Sequence, residues 1–205
     1  MASFTGKRLV VVVTGTSGAG KGTLERALLH RMPDVFELAV SATTRPRRPT
    51  EENGREYYFL SEHEFDRLLA EDEFLEYVEL PWGARSGTLQ SEIDRIQARG
   101  KVPLLDLETD GAQRVRATIP GAVTIFVDVP TFEELERRLR ERATESSGEI
   151  QVRLQLARRQ QEEKGRFDYV IVNDDVDRAA GELFEIVDRE LRRAGTMPNR
   201  DPSPN

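Results

Sequence analysis

Residues 8–23 read RLVVVVTGTSGAGKGT, and the reading of this stretch decides the fold. The run 8–13 is continuously apolar and largely β-branched, as suits a strand covered on both faces of a parallel sheet. Residues 15–23 nearly match the phosphate-cradling pattern G-x-x-x-x-G-K-[ST], with Gly22 standing where a hydroxyl is expected. Residues 21–32 then place Leu24, Ala27, Leu28 and Met32 on one helical face, and Pro33 follows. Strand, glycine-rich loop and helix in that order imply a site for a nucleoside triphosphate. The glycines let successive N–H groups point inward, and the helix N-terminus adds positive potential. Lys21 adds a full charge. Only Lys7, Lys21, Lys101 and Lys164 are lysines among 30 basic residues, so a lysine in this slot is no accident of composition. The expected phosphate-binding set is Gly15, Thr16, Ser17, Gly18, Ala19, Gly20, Lys21, Gly22 and Thr23.

The 205 residues carry 38% hydrophobic and 33% charged side chains, which suits one large domain with appended lobes. No apolar run approaches the ~18 residues of a membrane span. The N-terminal apolar run continues into the loop with no small-residue cleavage site, so a cytoplasmic protein is expected. Cysteine is absent, which removes disulfides and thiolate metal sites. His30 and His63 are the only histidines, and two so far apart in the chain are a poor basis for a histidine-built metal site or triad. The net charge of −7 argues against general nucleic-acid binding. Arg45, Arg47 and Arg48 nevertheless cluster, as do Arg137, Arg138, Arg140 and Arg142. Small basic pockets in an acidic chain suit small phosphorylated ligands.

Further strands are expected at 35–40, 102–107, 123–128 and 168–173, with helices at 88–99, 111–119, 131–142, 149–163 and 176–193. Ser61 with Glu64, and Thr131 with Glu134, have capping-box spacing. Residues 41–92 are polar and broken by Pro46, Pro49 and Gly54, the texture of an inserted small lobe. Residues 143–148, ATESSG, read as a hinge, and the tail 195–205 as unstructured. Strands alternating with helices give an α/β fold with a parallel sheet.

Residues 41–59, SATTRPRRPTEENGREYYF, resemble the guanylate kinase family pattern S-x-T-T-R-x-P-R-x-G-E-x-x-G-x-x-Y-x-F. Ser41, Thr43, Thr44, Arg45, Arg48, Glu51, Gly54, Tyr57 and Phe59 fall into register. Residues 73–80, 104–112, 134–154 and 169–175 are similar to further family motifs in the same order, so the likeness spans roughly residues 8–190. It implies the P-loop nucleoside monophosphate kinase architecture: a three-layer core over 7–40, 93–136 and 156–194, a GMP-binding lobe over 41–92, and a mobile lid over 137–155. It implies transfer of the γ-phosphate of ATP to GMP with Mg2+, in a protein that takes neither nucleic acid nor membrane as partner and is a monomer or homodimer. Arg45, Arg48 and Tyr57 would hold the GMP phosphate, with Glu51 in the same register. Glu76 would accept the N1–H and N2–H2 donors of guanine and reject adenine, with Ser41 and Thr88 nearby. Arg138, Arg142 and Arg153, with Lys21, would offset charge on the transferred group. Asn173 corresponds to a position near the adenine of ATP. The loop ending G-A-G-K-G-T resembles that of adenylate kinases, which work without the hydroxyl. Thr23 and Asp106 would hold Mg2+ through water, Asp106 lying also on the GMP side.

The chain departs from the family at residues 80–89, LPWGARSGTL, where a tyrosine is usual and Ser86 stands instead, in a loop about one residue longer. Either Arg85 supplies the missing phosphate contact or GMP binds more weakly. Thr50 replaces a glycine and Glu108 an aspartate. A silent binding module and a kinase of another nucleotide are the two alternatives; retention of Lys21, Arg138 and Arg142 speaks against the first.

Overall fold

The computed structural model describes residues 9–80, 83–142 and 147–195, of which 141, 142, 147–150 and 152 are described in backbone only. In chain order the elements are β1 (Val11–Gly15), α1 (Lys21–Arg31), β2 (Phe36–Leu38), β3 (Ala42–Thr43), β4 (Tyr58–Phe59), α2 (Glu62–Ala70), β5 (Phe74–Glu79) and β6 (Arg85–Leu89). There follow α3 (Gln90–Ala98), β7 (Val102–Asp106), α4 (Thr109–Thr118), β8 (Val123–Asp128), α5 (Phe132–Arg142), α6 (Ser147–Glu162), β9 (Tyr169–Val172) and α7 (Val176–Arg193).

The main sheet has the order β2-β7-β1-β8-β9, and every pairing in it is parallel. The valine run explains its own burial. Val11 and Val13 face one core with Leu24, Leu104, Ile125, Ile171, Leu183 and Val187. Val10 and Val12 face the other with Ile93, Ile96, Leu105, Ala112 and Val115. Helices α1 and α7 thus cover one face and α3 and α4 the other, which makes three layers. Each fully buried valine contributes about 1.5–3 kcal/mol of transfer free energy. With helices on both faces, a polar residue in the middle of the strand would have no water to turn to, so 9–13 is apolar throughout and the first polar residue, Thr14, comes only where the strand runs into the loop.

A second sheet, β4-β3-β6-β5, comes entirely from residues 42–89; β3 is parallel to β4, while β6 runs antiparallel to β3 and β5. Helix α2 packs on it through Phe65, which stacks on Phe74 at 4.4 Å. The Ser61–Glu64 capping box that opens α2 is complete. At Thr131 the hydroxyl accepts from the Glu134 N–H at 3.2 Å.

Boundaries move at several places. The helix expected from 88 begins at Gln90, because Thr88 still pairs with Glu76 across β5 and β6. The strand expected over 35–40 ends at Leu38, because the Val40 N–H turns to the Glu92 carboxylate at 2.9 Å. The helix expected from 111 starts at Thr109, with Glu108 as its extended N-cap. Of the expected hinge 143–148, Ser147 and Gly148 already belong to α6, which opens two residues before the expected 149, while 143–146 lies outside the described residues, as does the tail from 196.

Candidate active site

Strand β1 delivers the chain to the loop at Gly15, and α1 takes it away at Lys21. Gly20 is the N-cap of α1 in the left-handed region, φ 94° and ψ 18°, and a Cβ there would collide with the Asn173 amide. No side chain caps α1. Its first N–H groups therefore remain for an anion, which the helix N-terminus attracts. The loop is braced from below: Asn173, 2% exposed, donates from Nδ2 to the Ala19 carbonyl at 2.7 Å. The Lys21 ammonium crosses the loop to the Gly15 carbonyl at 3.1 Å. Above the loop lies a cavity of about 200 Å³, lined by Thr16, Ser17, Gly18, Gly20, Lys21, Gly22, Thr23, Arg26 and Asp106.

A second cavity, of about 220 Å³, opens between the two sheets. Ser41, Tyr57, Glu76, Val78, Leu80, Ser86, Leu107 and Glu108 line it, and it shares Lys21 and Asp106 with the first. Its recognition element is Glu76, 4% exposed, whose Oε1 accepts from the Thr88 hydroxyl at 2.9 Å. Burial pushes the Glu76 carboxyl up, while Thr88 and the charge of Arg114 pull it back. Gly111 makes room for it. A Cβ on residue 111 would lie 2.5 Å from Glu76 Oε2. A buried carboxylate with a free acceptor edge calls for a ligand that brings N–H donors.

Asp106 ends β7 beside the last residues of β1 and stands open to the cleft. The protein around its carboxyl raises it, Lys21 lowers it and the charge of Glu108 raises it. Glu25, in the first turn and a half of α1, is 4% exposed and pushed up to about 8, first by burial and next by the charge of Asp106.

The arginines take up different tasks. Arg45 forks onto Glu51, Nη1 to Oε2 at 3.0 Å and Nη2 to Oε1 at 2.9 Å, and also meets the Pro46 carbonyl at 2.8 Å. Three of its five N–H groups are thereby spent, and Nε–H with one Nη2–H makes up a second fork. Glu51 also accepts the Arg48 backbone N–H at 2.8 Å; Arg45 foremost holds its carboxyl down at about 2. Glu51 thus shapes the Arg45–Arg48 turn and does not line the second cavity. The Arg45 guanidinium lies 5.2 Å from the Tyr57 ring centroid, and Tyr57 is the wall residue next to it. The Arg48 side chain is exposed.

Arg138 docks on the core. Its Nε donates to Glu134 at 2.7 Å and its Nη2 to the Asn173 carbonyl at 3.1 Å, one link from the phosphate loop. A Cβ on Gly18 would touch Leu135 and Leu139, so α5 lies against the loop. Arg153, on α6, is half-buried and lines neither cavity. The Arg142 side chain lies outside the described residues.

Two expectations need correction. Arg85 does not replace the tyrosine absent at 86: its guanidinium is held by Glu62 and by Asp66 at 2.6 Å, over the Phe65 ring at 4.5 Å. Neighbours in a strand face opposite sides, so with Ser86 on the cavity wall Arg85 must turn toward α2. Asn173 is buried beneath the loop and holds it in place, so any part it takes at the nucleotide is through that loop. Sequence reading also missed Arg26, Glu25 and Gly111. Glu25 and Arg26 read as two more charges on a charged helix, and burial in a helix's first turns has no signature in a single sequence.

Comparison with known proteins agrees with this geometry. The Guanylate kinase family model matches residues 7–190. The chain is 44% identical over 187 residues to a guanylate kinase of Symbiobacterium thermophilum, covering 91% of this chain and 88% of that one. It is 45% identical over 180 residues to one from Rubrobacter xylanophilus, covering 88% and 93%. The crystal structure of guanylate kinase from Anaplasma phagocytophilum superposes with a TM-score of 0.70 at 26% identity, over 95% of this chain and 89% of that one. A nucleotide-phosphate loop and a carboxylate-floored pocket meeting at one lysine, with matches of this length and identity, mean that the chain belongs to the guanylate kinase family.

Proposed function

We propose that ATP fills the loop cavity and GMP the second cavity, so that the γ-phosphate passes to GMP where they meet, giving ADP and GDP. The observation that carries this reading is the shared wall: Lys21 and Asp106 line both cavities. A group leaving one phosphate for another need not cross water. No side chain has to act as nucleophile or base, since the acceptor phosphate oxygen is already anionic. Orientation and charge compensation supply the rate.

Residues 41–92 serve as the acceptor lobe and 137–155 as the lid, on a core of 7–40, 93–136 and 156–194. Glu76 accepts from guanine, and Thr88 fixes the carboxylate. Tyr57, the second fork of Arg45, and Arg48 hold the acceptor phosphate. Lys21, with Arg138, Arg142 and Arg153 brought in by lid closure, offsets the charge that spreads over the transferred oxygens. Mg2+ fits the floor of the cleft, where Asp106 lines the cavity; Glu25 lies behind that lining, beside Gly22, with its Oε1 buried and without a hydrogen bond. Bound with ATP, Mg2+ supplies charge compensation at the phosphate oxygens. Among the described residues no group of three or more acidic or histidine side chains could hold a metal by itself, so the phosphates must contribute ligands. We place the reaction in the cytoplasm; among the described residues no helix is long and apolar enough to cross a membrane.

A coupled ADP-release assay with GMP, AMP, CMP and UMP tests the reading. Turnover is expected with GMP, and Lys21→Ala should lose on the order of 100-fold or more. Equal turnover of AMP would overturn the role of Glu76.

A further inference from the structure

We propose that Glu25 does the work of the hydroxyl missing at Gly22: its carboxylate, with that of Asp106, accepts hydrogen bonds from the waters of a divalent cation bound to the nucleotide phosphates. The proposal rests on the ATP site described above.

Residue 22 has room for a side chain. Its φ is not in the left-handed region, and a Cβ there would meet Arg26 Nη1 at 3.5 Å and Glu25 Oε2 at 3.9 Å, both ordinary contacts. A serine hydroxyl at this position would therefore enter space beside the Glu25 carboxylate. The chain has a carboxylate oxygen beside the position that the usual pattern gives to the hydroxyl-bearing side chain. Thr23 is a poor substitute. Its hydroxyl is already engaged, accepting from Arg26 Nη2 at 3.2 Å.

Glu25 itself needs an explanation. It is 4% exposed, and its Oε1 is buried with no hydrogen-bond partner. An unsatisfied buried carboxylate oxygen is costly unless a ligand completes it. Lys21 and Arg26 offset part of its charge, while the charge of Asp106, on the cavity wall, opposes it. A hydrated divalent cation between the two acids relieves that opposition. Its bound waters bring O–H donors to both carboxylates, the arrangement Mg2+ favours because it gives up water reluctantly. A plainer role is to hold Lys21, four residues earlier on the same helix face. The two differ in one respect: holding Lys21 matters with or without metal.

Mn2+ uptake, followed by electron paramagnetic resonance in saturating ADP, separates them when combined with calorimetry of ADP in chelator. Glu25→Gln should weaken Mn2+ binding about 10–100-fold and leave metal-free ADP binding unchanged. Asp106→Asn, on a residue open to the cleft, should show the same metal-specific loss. Gly22→Ser in the Glu25→Gln background should recover part of it. Undiminished Mn2+ uptake in Glu25→Gln would overturn the proposal, and so would an equal fall in metal-free ADP binding. If wild-type protein bound ADP but took up no Mn2+ with it, Glu25's part would fall while the ATP site stood. Absence of ADP binding altogether would overturn the site reading first.

Discussion

At the residue scale the acceptor pocket turns on Glu76 and what surrounds it. The carboxylate is buried, one oxygen is tied to Thr88, and the other passes within reach of Gly111. Gly111 is glycine because a methyl group 2.5 Å from a carboxylate oxygen cannot be accommodated without moving it. Gly111→Ala should therefore displace Glu76 and lower kcat/KM for GMP on the order of 100-fold, since small misplacements of a positioning group carry penalties of that size. Steady-state kinetics check this, with ADP binding as the control that should not change. Ser86 tells the opposite story. Its hydroxyl donates to the Ala42 carbonyl at 3.2 Å, so it closes the wall and adds no phenol to the phosphate clamp.

At the element scale the two sheets are joined by a charged hub. Glu92 on α3 is 2% exposed and accepts from the Val40 N–H at 2.9 Å, the Tyr58 hydroxyl at 3.1 Å, and Arg95 at 2.8 and 2.7 Å. Arg95 in turn reaches Glu37 on β2 at 2.7 Å. Glu92 thus ties the chain leaving the main sheet to β4 of the second. Burial alone would raise its carboxyl, but Arg95 and the Val40 N–H outweigh it and hold it below the ordinary 4.5. A carboxyl so lowered adds stability above pH 4.5 that is lost as pH falls below it. Glu92→Ala should cost about 3 kcal/mol at neutral pH, as removal of one partner of a buried ion pair does. Urea unfolding of both proteins should show that gap narrowing below pH 4.5. An equal gap at all pH values would mean that the lost packing, and not the charge, matters.

The C-terminal end of α6 is anchored in the same manner. Gln160 donates to Glu108 at 2.7 Å, while Gln161 and Lys164 donate to the buried Asp128 at 2.8 and 2.9 Å. One end of α6 is therefore fixed to the wall of the second cavity. None of these contacts was legible in the sequence. Pairs such as Val40–Glu92 and Gln160–Glu108 are 52 residues apart, and no local period points from one to the other.

At the scale of the whole molecule, what was legible is what has a local cause. The valine run, the glycine loop and the amphipathic α7 state their structure through period and steric need, and β8 and α7 fall where they were expected, at Val123–Asp128 and Val176–Arg193. The sheet order was not, because it depends on which strand lies beside which. The junction was not either: Lys21 comes from the main sheet's loop, Glu76 and Ser86 from the second sheet and Tyr57 from the turn that leads into it, and only the fold brings them round one cleft. Transfer between two nucleotides depends on that junction. Calorimetric titration with GMP, then with a non-hydrolysable ATP analogue and Mg2+ added to the GMP complex, tests it most directly. Two successive saturable uptakes of one equivalent each are predicted; displacement of GMP by the analogue, or no uptake of GMP, would contradict two separate sites meeting at Lys21.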